Sequence, residues 1–572
     1  MCGIHGVIST VAIPNLSAEL RKALSNRGPD HFGQVSRELP FPNGDSVIHL
    51  NFTSTVLALR GNHVARQPLE SPTTGSVLCW NGEAWRIDGQ PISSENDGEF
   101  ILAKLDAPGA SSVEHRESHI LDILRRIDGP FAFLFYDAQL KRLYFGRDRL
   151  GRRSLLISQG EDGNSITFSS IADVSATCWK EVEANGVYSI NLESRIATAQ
   201  GLGLDTRIAK HEWLSFAGDN MVSSIGNFNM TLPPQEHKLD FDSVSVAMLR
   251  HWLCESLKLR VLSIPEPLSS LSDADVRVAI LFSGGLDCTV LARLAHDLVP
   301  SDQGIDLLNV AFENPRQVAV DKTVRKAQPY LPLTDVYEAC PDRVTGRKAF
   351  AELRSTCPDR RWRFIAVNVP YEEALSHKSR VVSLMYPHNT EMDLSIAFAL
   401  YFAARGIGHS YTHSYEWEPA PPSITSPARV LLSGLGADEL FGGYSRHEAA
   451  FKSGGYTRLV DELKLDISRI GQRNLGRDDR IMAHWGKEVR FPFLDEELVR
   501  FAISSPVWEK CDFQNQFHPA AIDPAKRILR LLADGLGLNI IAREKKRAIQ
   551  FGSRTAKMES RTGRVRGTTT IT

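Results

Sequence analysis

The alternation of apolar and polar residues changes along the chain and predicts two kinds of domain. Up to about residue 200, short apolar or alternating runs such as PFAFLFYD, RLYFGRD and SITFSS are separated by Gly, Asp and Asn. Runs of this length, broken by turn-forming residues, are typical of strands in a layered β domain. We therefore predict a β-rich domain over residues 1–200.

From about residue 246 onward, near-continuous apolar runs alternate with segments of helical periodicity. The runs VRVAILF, DLLNVAFE, RWRFIAVNV and ARVLLSG are typical of parallel strands that are covered on both faces. They predict a doubly wound α/β domain over 246–555, which gives a fold class of α/β and α+β in two domains. Residues 201–245 lose this periodicity and are predicted to connect the domains, while the polar residues 556–572 are predicted to be a flexible tail.

Composition and charge exclude several functional classes. The 572 residues are 42% hydrophobic and 23% charged, with a net charge of −2, which gives no electrostatic basis for binding nucleic acid or a membrane surface. No apolar run reaches the roughly 18 to 20 residues of a membrane span. The eight cysteines form no CxxC pair and no cluster with zinc-ligand spacing, so reduced thiols are expected. These features predict a soluble, cytoplasmic protein.

The beginning of the chain contains a candidate nucleophile. The chain opens MCGIHGV, and removal of Met1 would leave Cys2 as the N-terminal residue. Such a cysteine has both a nucleophilic thiol and an α-amine that titrates near pH ~8 and can act as a built-in base. Taken alone, Cys2 is more often simply a small buried residue.

The motifs that follow Cys2 favour the nucleophile. RGPD at 27–30, LALRG at 57–61, NGE at 81–83 and NDGEF at 96–100 occur in this order, followed by GPFAFLFYD and RDRLG. Together they resemble the glutaminase domain of class II amidotransferases, the N-terminal-nucleophile (Ntn) type, over nearly all of the first 170 residues. The resemblance implies an Ntn-hydrolase layered β-sandwich that hydrolyses glutamine to release ammonia.

This resemblance implies roles for the residues of the motifs. Cys2 would attack the side-chain amide of glutamine, while the Asn81 side-chain amide and the Gly82 N–H would stabilise the tetrahedral oxyanion.

Free glutamine would be recognised by its charged ends. Arg60 would bind the α-carboxylate and Asp97 the α-ammonium, with Glu83 nearby. Arg27 and Asp30 are expected to be structural.

A phosphate-binding turn is predicted in the second domain. The strand-like run ending at Phe282 is followed by Ser283, Gly284 and Gly285 and then by an amphipathic helix. Glycines let backbone N–H groups approach an anion, and a helix N-terminus adds partial positive charge. No lysine-bearing GxxxxGK[ST] loop occurs in the chain. The turn instead resembles the SGGxDS pyrophosphate loop of ATP pyrophosphatases, with Cys288 in place of the serine.

A second block, VLLSGLGADELFGGYSRH at 430–447, again leads from a strand into a glycine turn and a helix. Two strand ends that each bring an aspartate, Asp287 and Asp438, fit a site for magnesium pyrophosphate. GKEVRFPFLDEELV and REKKRAIQFG then follow in the order seen in glutamine-hydrolysing asparagine synthetases. The whole chain resembles that family, and PDRVTGRKAF and RNLGRDDRIMAHWGKEVRFPFLDE resemble a divergent branch of it.

The resemblance implies ATP and Mg²⁺ as cofactors, with glutamine and aspartate or another carboxylate as substrates. The backbone of Leu281 and Val310 would contact the adenosine, and a late lysine would stabilise the acyl-adenylate; Lys546 aligns best, and Lys545 is the alternative. The implied ATP-binding residues are Leu281, Ser283, Gly284, Gly285, Asp287, Cys288, Val310, Ser433 and Gly434, and the implied magnesium ligands are Asp287 and Asp438.

The second block departs from the family pattern. Ordinary asparagine synthetases have SGEGSDE where this chain has SGLGADE, so Leu435 replaces a glutamate and Ala437 a serine. Leucine cannot accept a proton, and losing general-base help of order ~10² is expected. A thiol is a weaker donor than a hydroxyl, so Cys288 should weaken ATP binding without abolishing it. The stretch FENPRQVAVDKTVRKA also lacks the usual form, which leaves the aspartate-binding residues open.

Three functions are compatible with these features. The first is glutamine-dependent amidation of aspartate to asparagine through a β-aspartyl adenylate, with AMP and pyrophosphate as products. The second is the same adenylating chemistry on a different carboxylate, and the third is a binding or scaffold protein with a degenerate synthetase site. Leu435 favours the latter two, whereas Cys2, Arg60, Asn81 and Asp97 favour the first.

Overall fold

A computed structural model of the chain divides into two compact units. The first unit comprises Met1–Ile225 and Arg469–Lys487, and the second comprises Gly226–Ser468 and Glu488–Thr572. The structure describes residues 2–40, 47–92, 96–107, 112–160, 163–173, 178–193, 195–198, 201–204, 207–214, 218, 220–266, 275–319, 335–412, 423–515, 522–556, 558 and 567–571.

Two six-stranded antiparallel sheets form the first unit. In spatial order, the first sheet contains Lys180–Glu181, Leu156–Gln159, Ser165–Ser169, Gly3–Ser9, Val47–Val56 and His31–Pro40. The second contains Ala209–Glu212, Gly186–Asn191, Arg142–Arg147, Phe131–Asp137, Val77–Gly82 and Leu69–Glu70. Shorter strands are Arg86–Ile87, Gln90–Pro91, Ile127–Asp128, Arg195–Thr198, Gly201–Leu204 and Met221–Val222. The helices are Ala18–Arg27, Asp97–Leu105, Val113–Arg125, Ile470–Arg473 and Leu475–Ala483.

Two apolar layers hold these sheets and helices together. Ile4 and Ile8 of the first sheet pack with Cys79 and Leu134 of the second in one core. The opposite face of the second sheet packs against the helices Asp97–Leu105 and Val113–Arg125 in another core. Alternate side chains of a strand point to opposite faces, so the second sheet is buried on both. The predicted layered β-sandwich is confirmed.

A seven-stranded sheet forms the centre of the second unit. Its spatial order is Ser423–Thr425, Ile407–Tyr411, Trp362–Val369, Ile305–Phe312, Val278–Leu281, Val430–Leu432 and Glu488–Arg490. The last five strands in this order are mutually parallel, and the first two are antiparallel additions. Every residue of Ile305–Phe312 is buried, as expected for a strand covered on both faces. The predicted doubly wound α/β domain is confirmed.

The remaining elements of the second unit are mainly helices. The α-helices are Val244–Val261, Leu286–Leu298, Pro341–Thr356, Tyr371–Met385, Glu391–Arg405, Ala437–Phe441, Ser445–Ser468, Glu496–Ser504, Arg527–Gly535 and Ile549–Gly552. Three 3₁₀ turns, Pro492–Leu494, Val507–Glu509 and Ile541–Arg543, and the short strand Gly226–Asn227 complete the described elements. No helix among the described residues is long and apolar enough to span a bilayer.

The strand order reverses direction at one place, between Val278–Leu281 and Val430–Leu432. From Val278–Leu281 the chain builds outward to Ile305–Phe312 and Trp362–Val369, and it later adds Val430–Leu432 on the other side. Ligands of open α/β sheets bind outside the carboxyl ends of the strands at such a switch point. Both predicted phosphate-site blocks follow directly from these two strands.

The first unit includes a segment from far along the chain. Residues 469–487, which we call the inserted segment, group with the N-terminal sheets although the predicted boundaries assign them to 246–555. The predicted tail 556–572 lies mostly outside the described residues, and the boundaries of the connecting segment remain a prediction.

A buried histidine makes the stability of the first unit depend on pH. His5 is 5% exposed, and its Nδ1 has no hydrogen-bond partner among the described residues. Burial, opposed by Asp173, lowers the pKa of His5 from 6.5 to about 4. Between these values the unfolded chain binds the proton and the folded chain does not, so stability falls as pH decreases.

We expect wild-type protein to lose roughly 2 kcal/mol more stability than His5→Gln between pH ~6.5 and ~5. Urea unfolding of the first unit at the two pH values measures the difference. His115→Gln, at an exposed position, serves as the control and should behave like wild type. Equal pH dependence of wild type and His5→Gln would contradict this account.

Candidate active sites

Cys2 immediately precedes the strand Gly3–Ser9 in the interior of the first sheet. Its side chain is buried, and the Gln67 side-chain Nε2 lies 3.9 Å from its Sγ. Gln67 Oε1 accepts a hydrogen bond from the Trp80 N–H at 2.8 Å, which turns the NH₂ group of Gln67 toward the thiol. Gln67 is not predicted from the sequence, because a lone glutamine before a proline matches no motif. Met1 lies outside the described residues, so its removal stays a prediction.

Asn81 and Gly82 end the strand Val77–Gly82, directly after Trp80. The Asn81 side chain is fully buried, and neither its Nδ2 nor its Oδ1 has a partner among the described residues. A buried amide without partners is costly, and a ligand oxygen would satisfy the Nδ2 donor. Gly82 has φ +151°, and a Cβ there would lie 2.0 Å from the Pro130 carbonyl oxygen. Only glycine fits this position.

Arg60 and Asp97 are held on the two sides of one residue, Ala84. Asp97 accepts the Ala84 N–H at 2.8 Å and the Trp80 Nε1–H at 3.0 Å. Arg60 donates to the Ala84 carbonyl at 2.8 Å and lies 3.5 Å from Glu83. Opposite charges at a fixed separation are what the zwitterionic end of an amino acid needs.

The buried carboxyl group of Asp97 is suited to an ammonium ligand. Burial raises its pKa, and the Arg60 charge together with hydrogen bonds from Ala84 and Trp80 only partly offsets this. A bound ammonium would stabilise the carboxylate in the same way as Arg60 does.

Arg27 and Asp30 make structural contacts around these residues. Arg27 Nε donates to the Cys2 carbonyl at 3.3 Å. Asp30 accepts the Ala58 N–H at 2.8 Å, two residues before Arg60. Both contacts fit the structural roles expected for the RGPD motif.

In the second unit, the turn Ser283–Gly285 connects the strand Val278–Leu281 to the helix Leu286–Leu298. Gly284 has φ +77°, and a Cβ there would lie 2.4 Å from the Gly346 backbone. The Ser283 Oγ accepts the Gly285 N–H at 3.3 Å and lies 3.7 Å from the Cys288 Sγ. Burial raises the pKa of Cys288, so it is a neutral thiol. Cys288 leaves the turn intact.

The loop 433–436, which follows the strand Val430–Leu432, lies against the turn Ser283–Gly285 and the helix that it begins. A Cβ at Gly434 would lie 2.8 Å from the Asp287 Cβ. Ser433 donates its N–H to the Arg490 carbonyl at 3.0 Å, and its Oγ accepts the Leu435 N–H at 3.3 Å. The close approach of the loops therefore requires glycine at 434.

Lys526 joins the two aspartates that were predicted to bind magnesium. Its Nζ lies 2.6 Å from an Asp287 oxygen and 3.0 Å from an Asp438 oxygen. Lys526 has left-handed backbone, φ +53°, and donates its N–H to the Phe441 carbonyl at 3.1 Å. A non-glycine residue in this conformation is uncommon and often functional. Lys526 is not predicted from the sequence, because it belongs to neither predicted loop.

A second lysine also contacts Asp438. Lys546 Nζ lies 3.0 Å from Asp438 and 3.8 Å from the centre of the Tyr444 ring, whereas Lys545 is exposed. The geometry therefore favours Lys546 over the alternative left open by the sequence. Tyr444, which the sequence analysis did not single out, donates its hydroxyl to Glu439.

The charges of this cluster are mutually dependent. Burial would raise the pKa of Asp438, but Lys526 and Lys546 outweigh it and hold it at about 2. Burial would lower the pKa of Lys526, and Asp287 and Asp438 raise it instead. Burial lowers the pKa of Lys546, and Asp438 only partly opposes this. Asp438 and Lys526 are therefore charged at neutral pH.

The cluster offers two carboxylates to a metal ion. Asp287 and Asp438 both contact the Nζ of Lys526. The described residues contain no group of three or more acidic, His or Cys side chains suited to a metal. Mg²⁺ is commonly held by one or two carboxylates together with substrate phosphates. The donor set fits Mg²⁺ that arrives with a nucleotide.

The predicted adenosine contacts lie on the two adjacent strands. Leu281 ends the strand Val278–Leu281 and pairs with Leu308, two residues before Val310 on Ile305–Phe312. Both predicted backbone positions are thus at the carboxyl edge of the sheet, beside the turn Ser283–Gly285.

Comparison with known proteins identifies two domains in the chain. Residues 1–202 match the model of the glutamine amidotransferase domain, and 423–461 and 451–566 match that of asparagine synthase. The chain is 35% identical to asparagine synthetase domain-containing protein 1 of Bos taurus, over 98% of this chain and 96% of the relative. It is 33% identical to the Homo sapiens protein of the same name, over 98% of this chain and 96% of that protein. The chain belongs to the asparagine synthetase domain-containing protein family.

A third relative has a name that states an activity. A putative glutamine-hydrolysing asparagine synthetase of Methanocaldococcus jannaschii is 35% identical over 98% of this chain and 94% of the relative. The two matched domains show that the chain is an enzyme of the amidotransferase and asparagine-synthase-like class, and they support glutamine-dependent amidation with glutamine and ATP as substrates.

Gly434→Ala should separate the two loops of the second unit. The added Cβ would lie 2.8 Å from Asp287, so we expect the Kd for ATP to rise about 10-fold or more, equivalent to ~1.4 kcal/mol. Calorimetry with Mg²⁺ present measures this change. Gly535→Ala, where a Cβ meets nothing within 4 Å, is the control and should bind as wild type does. Unchanged binding by Gly434→Ala would show that the loops do not form the ATP site.

Proposed function

We propose that the protein activates a carboxylate as an acyl-adenylate with ATP, and converts it to an amide with ammonia released from glutamine. Aspartate is the proposed acceptor and asparagine the product, with AMP and pyrophosphate formed from ATP. The observation that carries the proposal is the meeting of Asp287, Asp438, Lys526 and Lys546 beside the turn Ser283–Gly285.

This cluster suits the cleavage of ATP between its α and β phosphates. The turn offers backbone N–H groups to the terminal phosphates, and Asp287 and Asp438 would hold Mg²⁺, which neutralises pyrophosphate charge when bound. Lys526 lies between these carboxylates and supports charge on the departing pyrophosphate. An oxygen of the acceptor attacks the α-phosphorus, and the bond to the bridging oxygen breaks.

Lys546 is the proposed catalytic lysine of this step. Its ammonium, held by Asp438 and Tyr444, would stabilise the negative charge that builds on the α-phosphate and the acyl group. Ammonia then attacks the acyl carbon, and AMP leaves with the electron pair of the broken C–O bond.

The ammonia is proposed to come from glutamine, which is cleaved at Cys2. Its sulfur attacks the side-chain carbonyl of glutamine, and the oxyanion is stabilised by Asn81 and Gly82. Collapse of this intermediate expels ammonia and leaves a thioester, which water hydrolyses to glutamate. The unpartnered amide of Asn81 supports this role, since a developing oxyanion would satisfy its donor.

A different acceptor is the second candidate. Leu435, which replaces the glutamate of ordinary asparagine synthetases, removes a carboxylate near the incoming ammonia. The stretch 312–327, whose unusual form leaves the aspartate-binding residues open, lies outside the described residues from position 320 onward. A cytoplasmic location remains part of the prediction from the sequence.

Cys2→Ala should separate the two half-reactions. We expect glutamine-dependent pyrophosphate release with aspartate to fall below one-hundredth of wild type, because the nucleophile is missing, and ammonia to restore it.

Measurement of ATP–pyrophosphate exchange with aspartate and with other carboxylates identifies the acceptor. Exchange with another carboxylate, and none with aspartate, would support the second candidate. If the protein neither catalyses exchange nor binds ATP, the result would support a scaffold.

Lys546→Met and Lys545→Met form a matched pair of adjacent substitutions. Lys546 contacts Asp438 and Lys545 is exposed, so the first should lower the adenylation rate about 10² to 10³-fold and the second less than twofold. ATP–pyrophosphate exchange under saturating ATP measures both. Equal effects of the two substitutions would contradict the role of Lys546.

A further inference from the structure

The inserted segment brings a carboxylate into the interior of the first unit. Asp479, on the helix Leu475–Ala483, is fully buried and accepts a hydrogen bond from Arg27 at 2.8 Å; the Arg27 side chain is also fully buried. The same Asp479 oxygen accepts the Ser154 N–H at 3.2 Å. Because an unpaired buried charge is costly, this ion pair holds Arg27 in place.

Arg27 in turn holds the peptide that follows the proposed nucleophile. Its Nε donates to the Cys2 carbonyl at 3.3 Å, while the N–H of the same peptide, from Gly3, donates to Thr55 Oγ1 at 3.0 Å. Thr55 is itself fixed by donating to the Leu24 carbonyl at 2.8 Å. With both ends of this peptide bonded, the position of the Cys2 Cα is set, and the thiol turns only about χ1.

Neighbouring charges anchor the inserted segment at this place. Arg480 donates to Glu181 at 2.5 Å and to the Ser154 hydroxyl at 2.8 Å. A Cβ at Gly476 would lie 2.2 Å from the Glu181 carboxylate, so the helix approaches this residue closely. Arg153 lies 3.6 Å from Asp479. Loss of the Asp479 charge would therefore leave Arg27 and Arg153 beside each other with less compensation.

We infer that Asp479 is a positioning residue for Cys2, acting through Arg27 on the Cys2–Gly3 peptide. The inference rests on the proposed role of Cys2 as the glutaminase nucleophile. Asp479 lies outside the amidotransferase match at 1–202 and inside the asparagine synthase match at 451–566. The glutaminase site is thus completed by a residue from the synthase-like part of the sequence.

The test is covalent labelling of Cys2 in the full-length protein by 6-diazo-5-oxo-L-norleucine, a reactive glutamine analogue. Intact-mass measurement over time and reagent concentration gives the maximal labelling rate and the apparent affinity separately. We expect Asp479→Asn to lower the maximal rate about 10-fold or more, since a misplacement of ~1 Å can cost up to ~10²-fold. The apparent affinity should change less than twofold, because Arg60 and Asp97 are unaltered.

Two further variants distinguish the positioning of Cys2 from a general loss of packing: Arg27→Lys is a second test, and Asp137→Asn is the control. Arg27→Lys keeps the charge balance, but a single ammonium cannot reproduce the fork that bonds both Asp479 and Cys2, so we expect a similar loss of rate. Asp137→Asn removes a buried aspartate that pairs with Arg116 at 2.6 Å in the same unit. It should lower the unfolding midpoint and leave the maximal labelling rate within twofold of wild type.

Several results would overturn the inference. A maximal rate within twofold of wild type in folded Asp479→Asn or in Arg27→Lys would do so, as would a change confined to the apparent affinity. An equal loss in Asp137→Asn would assign the effect to packing alone. Wild-type protein that is not labelled at Cys2 would contradict the proposed glutaminase, and this inference with it.

Discussion

The ion cluster of Lys526 with Asp287 and Asp438 is the interaction on which the synthetase site depends. Two loops that follow neighbouring strands bring their carboxylates within 3.0 Å of one lysine nitrogen. Without that cation, the two carboxylates would repel each other. The lysine removes this repulsion, and the approach of Gly434 to Asp287 brings the loops together. Lys526 and Lys546 are therefore held at this site in the folded protein before any nucleotide binds.

The glutaminase site follows a different principle, since backbone groups hold most of its side chains. Ala84 bonds Asp97 through its N–H and Arg60 through its carbonyl, which fixes two opposite charges at one separation. Gln67 is oriented toward the Cys2 thiol by the Trp80 N–H. Among these fixed groups, the Asn81 amide is buried without a partner in the described part of the chain, and this is the group that a substrate oxygen would complete.

Much of the fold and both glycine turns could be predicted, because strand periodicity and strand–turn–helix transitions are local in sequence. The turn Ser283–Gly285 and the strand end at Asn81 are of this kind. Lys526 is 239 residues from Asp287, and Asp479 is 452 residues from Arg27. Contacts over such separations depend on the tertiary path of the chain, which the hydrophobic pattern does not contain. The sequence already favoured Lys546 over Lys545, and the structure separates them because it shows that Lys546 contacts Asp438.

If the Lys526 cluster directs cleavage of ATP between its α and β phosphates, as proposed, the nucleotide products will reveal it. The measurement is ³¹P NMR of a reaction containing the full-length protein, Mg²⁺, ATP, glutamine and aspartate. AMP and pyrophosphate should form in equal amounts, and both should be lost when Lys526 is replaced by methionine. Formation of ADP and inorganic phosphate by the wild-type protein would contradict the proposal.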